Sequence, residues 1–266
     1  NRMTHKIEFS KYQGTGNDFV MIDNRSGNFP KENIKLVAYL CDRRFGIGGD
    51  GLILIENDST VDFKMVYYNS DGNESTMCGN GGRCLVAFAK NLKMIDNSCT
   101  FIAVDGLHHA EISSEIVALQ MINVDLVERF QKYTFLNTGS PHHVEIVEDI
   151  QTYDVFNKGK EIRYSENYAP KGTNVNFVEK ISEDYFKVRT YERGVEDETF
   201  SCGTGATAVA IAMFETGQTN KNSLKIEVPG GLLQVSFKKS DSGVYENVIL
   251  SGPAEMVFSG EINVEI

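Results

Sequence analysis

Residues 78–91 read CGNGGRCLVAFAKN, and residues 202–216 read CGTGATAVAIAMFET. Each segment opens with a Cys-Gly-x-Gly turn and continues into a run of residues that would place small or apolar side chains on nearly every face of a helix. A helix that is apolar on every face is usually buried, so we predict buried helices at 80–91 and 204–216. The two cysteines lie 124 positions (202 − 78) apart in a chain of 266 residues. This spacing indicates an internal repeat, although two unrelated glycine turns would give the same local pattern.

Most of the remaining chain alternates apolar and polar residues and is interrupted by Gly, Asn and Asp, which is typical of strands. One further helix is predicted at 33–42. The predicted strands are 6–12, 19–23, 51–56, 63–69, 99–104, 144–147, 174–180, 185–191, 224–228, 232–238 and 244–252. We therefore predict an α+β fold with two pseudo-symmetric domains. Each is expected to be a curved, mostly antiparallel sheet wrapped around a central helix, with the active site in the interdomain cleft.

The domain boundary is predicted within residues 125–135. This gives an N-terminal domain of residues 1–128, which carries Cys78, and a C-terminal domain of residues 129–266, which carries Cys202. The prediction allows the last strand to return to the first domain.

The composition is that of a soluble globular protein, with 41% hydrophobic and 24% charged residues. The net charge of −11 argues against nucleic acid or a membrane surface as the partner. No signal peptide or membrane span is visible. The five cysteines are odd in number, lie far apart in the sequence and form no CxxC pair. We therefore expect a cytoplasmic protein with reduced thiols and a small-molecule substrate.

A cysteine just ahead of a helix meets unpaired backbone N–H groups and the positive end of the helix dipole. That setting lowers the pKa of the thiol and also makes an anion site for a carboxylate. Two such helices directed at one cleft would place a thiol on each face of an amino-acid α-carbon, as racemisation requires. The simpler fate of a free cysteine is that of a small buried hydrophobe, which we predict for Cys41, Cys84 and Cys99.

A series of motifs in this order and spacing resembles the diaminopimelate epimerase family along nearly the whole chain. The motifs are YQGTGNDF (12–19), RRFGIGGDG (43–51), NSDGN (69–73), CGNGGRC (78–84), TGSPH (138–142), GTNVNF (172–177), YERG (191–194) and CGTG (202–205). The resemblance implies interconversion of LL- and meso-diaminopimelate, in lysine and peptidoglycan precursor biosynthesis, by an isomerase that uses neither pyridoxal phosphate nor a metal. It also implies a homodimer.

The resemblance further assigns roles to residues of this chain. Cys78 and Cys202 match the catalytic cysteines, and Glu192 and His142 match residues that tune them. Glu192 also matches a contact to the reacting amino group. The matched substrate-binding residues are Asn17, Asn69, Gly79, Asn80, Asn174, Glu192, Arg193, Gly203 and Thr204.

Without the resemblance, simpler interpretations of these residues stay open. Asn17 and Asn69 lie in turn-rich stretches, where Asn often only stabilises a turn. Glu192 and Arg193 would be a surface ion pair, and His142 a loop histidine. Two rival functions also remain: a proline or hydroxyproline racemase, which shares the two thiols, and a thiol redox or metal-binding protein. The phenazine-biosynthesis isomerases lack the cysteine pair.

Overall fold

The computed structural model of the chain describes residues 3–76 and 78–266. The chain forms two compact units, one of Asn1–Leu119 with Pro253–Ile266 and one of Gln120–Gly252. The division after Leu119 lies nine residues (128 − 119) before the predicted one. The reason is that residues 120–128 pair with the second unit: Met121 N–H donates to Val248 O at 2.7 Å, and Val124 forms a bridge with Tyr245.

The first unit contains two helices, α1 (Ile34–Cys41) and α2 (Gly79–Asn91). Its strands are β1 (Thr4–Gly14), β2 (Asn17–Asp23), β3 (Gly51–Glu56), β4 (Phe63–Asn69), β5 (Glu74–Ser75), β6 (Ser98–Ala103), β7 (Gly106–Ser113), β8 (Ile116–Gln120) and the last strand of the chain, β18 (Glu255–Glu265). They follow the order β18-β1-β2-β3-β4-β6-β7-β8, with the short β5 beside β4. The pairs β2–β3 and β4–β6 are parallel, and the others are antiparallel.

The second unit contains α3 (Val155–Arg163) and α4 (Gly203–Glu215). Its strands are β9 (Val127–Arg129), β10 (Thr134–Asn137), β11 (Pro141–Ile146), β12 (Asn174–Ser182), β13 (Tyr185–Glu192), β14 (Asp197–Thr199), β15 (Ser223–Val228), β16 (Gly231–Lys239) and β17 (Tyr245–Pro253). From β10 onward their pairing repeats that of the first unit from β1. The pairs β11–β12 and β13–β15 are parallel, and the short β14 lies beside β13 just before α4. The predicted internal repeat is therefore confirmed in the topology.

The two repeated helices are the central elements of their units. α2 packs against β1, β2, β3 and β7, and α4 packs against β10 to β13, β15 and β16. Both are 13 residues long, well short of the roughly 20 residues needed to span a bilayer. Elsewhere in the described ranges, too, no helix has the length and apolar character for a membrane span.

A second helix covers the other face of each sheet. In the first unit, Leu52 and Leu54 of β3 pack with α1, whereas Ile53 approaches Gly81 of α2. Since neighbouring side chains of a strand point to opposite faces, β3 is buried on both sides. In the second unit, α3 packs on β12 and β13 through a cluster that includes Val155 and Phe177. The predicted α+β class, with a mostly antiparallel sheet and a central helix in each half, is confirmed.

Candidate active site

Cys78 and Cys202 are the N-cap residues of α2 and α4. Both have extended backbone conformations, with φ, ψ of −107°, 133° and −136°, 107°. Each carbonyl already accepts the first helical hydrogen bond, from Gly82 N–H at 2.7 Å and from Ala206 N–H at 2.9 Å. Both thiols are half-buried at the end of a helix where N–H groups and the positive dipole end favour an anion. Gly79 and Gly203 are the first helical residues, as a backbone cradle requires.

The other three cysteines lie in the protein core, as predicted. Cys41, Cys84 and Cys99 are buried. Burial raises the pKa of each of these thiols to about 12. They therefore remain protonated at neutral pH and act as small apolar side chains.

In the first unit, Cys78 lies in a chain of hydrogen-bonded amides. Its Sγ is 3.6 Å from Asn17 Oδ1, which also accepts a hydrogen bond from Asn80 Nδ2 at 3.2 Å. Asn17 Nδ2 in turn donates to Asp50 Oδ2 at 2.6 Å. The structure thus brings three of the predicted residues together, and the role of Asn17 extends beyond turn stabilisation.

An ion cluster supports this amide chain. Arg43 donates to both carboxylate oxygens of Asp18, at 2.8 and 2.7 Å, and to Asp50 Oδ1 at 3.1 Å. Lys11 Nζ lies 3.1 Å from Asp18 Oδ2. Burial raises the pKa of Asp18, but hydrogen bonds from Arg43 and Lys11 outweigh burial and hold this pKa well below its usual range. Asp18 is therefore ionised at neutral pH.

Asn69, the remaining predicted contact of this unit, is the last residue of β4 and is exposed. Its backbone accepts from Gly72 N–H at 3.0 Å and donates to Asn73 O at 2.9 Å, which closes the turn into β5. Asn69 pairs with Gly51, which in turn pairs with Phe19 near the start of β2. It therefore lies at the same end of the sheet as Asn17.

In the second unit, Cys202 lies at the end of a buried polar chain. Its Sγ is 3.6 Å from Thr204 Oγ1, which is 2.8 Å from His142 Nε2. His142 Nδ1 is 2.9 Å from Asn176 Nδ2, and Asn176 Oδ1 accepts from Thr190 Oγ1 at 2.8 Å. Because an amide nitrogen only donates, Nδ1 of His142 is the acceptor and its proton is on Nε2. His142 therefore donates to Thr204, whose hydroxyl hydrogen is available to the sulfur.

His142 belongs to β11 and is 0% exposed, so it is not a loop histidine. Burial, helped by the positive charge of Arg193, lowers the pKa of His142 to about 3. The imidazole is neutral throughout the physiological range. It can orient Thr204 and Cys202 by hydrogen bonding, but it does not carry a charge next to them.

The ends of β12 and β13 form a second group of predicted residues. Asn174 accepts from Arg193 N–H at 2.8 Å and donates to Pro141 O at 3.0 Å, so its amide ties three segments together. Arg193 Nη1 donates to the carbonyl oxygens of Lys171 at 3.1 Å and Gly172 at 3.4 Å. Glu192 ends β13 and is partly exposed. The backbone contacts of Arg193 hold the guanidinium at a defined position.

Close packing around Cys202 and Asn176 requires glycine at position 205. A Cβ at this position would lie 2.5 Å from Asn176 Oδ1 and 3.3 Å from Cys202 Sγ. Thr138 Oγ1 donates to Thr204 O at 2.7 Å and so joins the TGSPH loop to the start of α4.

Several residues of these networks were not identified from the sequence, among them Asp18, Asp50, Asn176 and Thr190. Asn176 is 0% exposed, but it lies in a strand that contains other polar residues, so it carried no distinguishing signal. Asp50 and Thr190 carried none, since each has an ordinary position beside a strand or within one.

The family model for diaminopimelate epimerase matches residues 9–127 and 134–257 of this chain. The diaminopimelate epimerase of Flavobacterium psychrophilum is 62% identical over 257 residues, covering 96% of this chain and 100% of that one. The diaminopimelate epimerase of Aquifex aeolicus is 40% identical, and the match covers 98% of this chain and 99% of that one.

Among solved structures, a phenazine biosynthesis protein of the PhzF family from Bacillus anthracis matches with a TM-score of 0.77 at 14% identity, covering 98% of this chain and 100% of that chain. A hydroxyproline epimerase from Agrobacterium vitis with bound trans-4-hydroxy-L-proline matches with a TM-score of 0.71 at 13% identity. This match covers 100% of this chain and 95% of that chain. At these identities the likeness shows the fold alone. The sequence relatives carry the assignment, and they confirm both the resemblance seen in the motifs and the isomerase class that it implied: the chain belongs to the diaminopimelate epimerase family.

Proposed function

We propose that this protein epimerises LL-2,6-diaminopimelate to the meso isomer by a two-thiol mechanism, in lysine and peptidoglycan precursor biosynthesis. One observation carries the proposal. Both cysteines of the repeat occupy the N-cap of a buried central helix, while the other three cysteines are core residues. Homologues of up to 62% identity that are named for this activity support the substrate.

In the proposed reaction, one thiolate removes the α-proton, so the Cα–H bond breaks and an S–H bond forms. The electron pair moves into the carboxylate, which becomes enolate-like. Backbone N–H groups at Gly79-Asn80 and Gly203-Thr204 stabilise that charge, each donor contributing on the order of 3 kcal/mol. The thiol of the other cysteine then delivers its proton to the opposite face of the carbon. No redox step is involved, and the two sulfurs exchange protonation states.

The remaining predicted residues are assigned to binding and positioning. We assign Glu192 to the reacting amino group and His142 to the orientation of Thr204 beside Cys202. Asn17, Asn69, Asn174 and Arg193 are assigned to fixing the substrate. An arginine held by backbone carbonyls, as Arg193 is, suits a planar distal carboxylate because its geometry is directional.

The test is to incubate the reduced protein with LL-diaminopimelate in D₂O and to follow α-deuteration and formation of the meso isomer. We expect both, and we expect Cys78→Ala and Cys202→Ala each to abolish turnover while the fold is retained. Absence of exchange and product in the reduced wild-type protein would remove the proposal. Running proline and trans-4-hydroxyproline in the same assay tests the rival racemase function, for which the Agrobacterium vitis structure offers only a likeness of fold.

Localisation and assembly also belong to the proposal. A cytoplasmic setting is supported by the absence of a CxxC pair and by the reduced state that the mechanism requires of Cys78 and Cys202. We further propose a homodimer, as the family resemblance implies. Sedimentation equilibrium of the purified protein at micromolar concentration tests this, and a mass of one chain would contradict it.

A further inference from the structure

Arg83 is a fully buried cation one turn into α2. Its side chain is 0% exposed. Nη1 donates to Asn80 Oδ1 at 2.9 Å, whereas Nε and Nη2 have no hydrogen-bond partner within residues 3–76 and 78–266. A buried charge with incomplete hydrogen bonding carries a large desolvation penalty. The position therefore requires an explanation beyond packing.

The carboxylates next to this region do not neutralise Arg83. Asp18 is bound by Arg43 and Lys11, and Asp50 is bound by Arg43 and by the Asn17 amide. No salt bridge to Arg83 is found in the part of the chain that the structure describes. The guanidinium thus leaves an excess positive charge inside the first unit.

The helix dipole adds to this excess. A cation near the start of a helix faces the positive dipole end, which is unfavourable, so Arg83 and the dipole both raise the potential at the N-cap. An anion at the N-cap is therefore stabilised by both. Cys78 occupies the N-cap, whereas Cys84 is buried with its pKa raised to about 12 and stays protonated. Cys78 is the thiol that can provide the negative charge.

The hydrogen bonds of Arg83 also define the direction of the amide chain. A guanidinium only donates and a carboxylate only accepts. With Arg83 at one end and Asp50 at the other, Asn80 must direct its oxygen to Arg83, and Asn17 must direct its nitrogen to Asp50. The two amides next to Cys78 are therefore held in one orientation.

We propose that Arg83 is a positioning residue: it supplies the buried positive charge that balances a thiolate at Cys78, and it fixes Asn80 and Asn17 so that Asn17 Oδ1 accepts from the Cys78 thiol when the sulfur is protonated. The inference rests on the proposed function, in which Cys78 is one of the two acid/base groups. On ionisation the S–H bond of Cys78 breaks, the proton passes to solvent, and the sulfur keeps the electron pair at the N-cap of the helix that carries Arg83.

The experiment measures the thiol directly, without substrate. Iodoacetamide alkylation of Cys78 is followed by peptide mass spectrometry from pH 5 to 10 in a Cys202→Ser background. We expect a midpoint at least about one pH unit below the ordinary thiol value near 8.5. Arg83→Met, which keeps an unbranched stem but removes the charged guanidinium, should raise the midpoint by at least about one unit. Arg83→Lys restores the charge only while the buried ammonium stays protonated, so its midpoint should lie between those of the parent and of Arg83→Met.

The matched control is Arg25→Met, the same substitution at an exposed surface pair with Asp23, which should leave the midpoint unchanged. A parent midpoint at or above 8.5, or an Arg83→Met midpoint equal to the parent, overturns the inference. Should Arg83→Met fail to fold, Arg83→Gln, which is polar and neutral, replaces it and is held to the same criterion. The outcome is separable from the proposed function: an active epimerase with an ordinary Cys78 overturns only the role of Arg83, and an inactive protein with an acidic Cys78 overturns only the epimerase assignment.

Discussion

Thr204 Oγ1 lies 2.8 Å from His142 Nε2, and the same hydroxyl lies 3.6 Å from Cys202 Sγ. Since the neutral imidazole donates from Nε2, the threonine oxygen accepts this bond and its hydrogen can serve the sulfur. A single hydroxyl therefore connects a buried histidine to one of the two proposed acid/base thiols.

The hydroxyl of Thr204 is expected to matter for turnover. Thr204→Val keeps the shape but removes the donor to Cys202, so we expect kcat to fall by about 10- to 100-fold. Thr204→Ser keeps the hydroxyl and should remain within about threefold of wild type. Steady-state kinetics on LL-diaminopimelate distinguish the two variants, and equal rates for Val and Ser would exclude a role for the hydrogen bond.

Asn176 is expected to set the tautomer of His142. Asn176→Asp replaces the donor to Nδ1 by an acceptor, which moves the proton to Nδ1 or charges the ring. Nε2 then no longer donates in the same way to Thr204, and we expect kcat to fall at least about 10-fold. Imidazole ¹⁵N shifts report the tautomer directly. A wild-type Nε2–H pattern in the variant would show that Asn176 does not determine it.

The buried neutral His142 makes the stability depend on pH. Burial, together with the charge of Arg193, lowers its folded pKa to about 3, below the unfolded value near 6.5. The unfolded state therefore binds the extra proton between these values, so stability is complete above about pH 6.5 and is lost as the pH falls toward 3. We expect a loss of roughly 3 kcal/mol by pH 4 from this residue. Urea unfolding of His142→Gln should show a flatter dependence in this window; an unchanged slope would contradict the assignment.

Gly205 and Gly81 occupy equivalent positions in the two Cys-Gly-x-Gly turns but differ in their surroundings. A Cβ on Gly205 meets Asn176 Oδ1 at 2.5 Å, whereas a Cβ on Gly81 first meets the flexible end of Ile53 at 3.0 Å. We expect Gly205→Ala to destabilise the protein by about 1–3 kcal/mol and to lower kcat by displacing Cys202. Gly81→Ala is the matched comparison and should cost less in both thermal unfolding and kinetics. Equal effects would show that the contact with Asn176 is unimportant.

Arg193 is expected to select substrates with a distal carboxylate. Losing a charge-assisted pair in a closed site costs roughly 2–5 kcal/mol, so Arg193→Ala should lower kcat/KM on LL-diaminopimelate by about 30-fold or more. Arg193→Lys should recover only part of this, because Lys does not reproduce the geometry. Lysine, which lacks the distal carboxylate, serves as the comparison substrate. If kcat/KM changed by less than about threefold in Arg193→Ala, Arg193 would be only a surface charge without a role in substrate binding.

Much of the secondary structure follows from local pattern alone. Strands β3 and β4 were predicted residue for residue, and α2 and α4 to within one residue at each end. These elements are apolar and clearly bounded, so the pattern is sufficient. The helix α3 was missed because Gly159 lies in its middle, where it weakens a helix. The folded protein uses that glycine for close approach, since a Cβ would lie 2.4 Å from Tyr191 Cβ. The strand β18 was missed because it is exposed along most of its length.

The sequence by itself determined the repeat, the family and the positions of the two N-cap cysteines. Each of these follows from contiguous motifs, in which the residue types and their spacing are directly visible. Only the tertiary structure decided how those thiols are supported. The polar chain that ends at Cys202 joins positions as far apart as His142, Asn176 and Thr190, and among the described residues Asp18 and Asp50 bind Arg43 rather than Arg83. Hydrogen-bond direction, burial and charge compensation depend on which strands become neighbours, and strand neighbours separated by tens of residues leave no local signal in the chain.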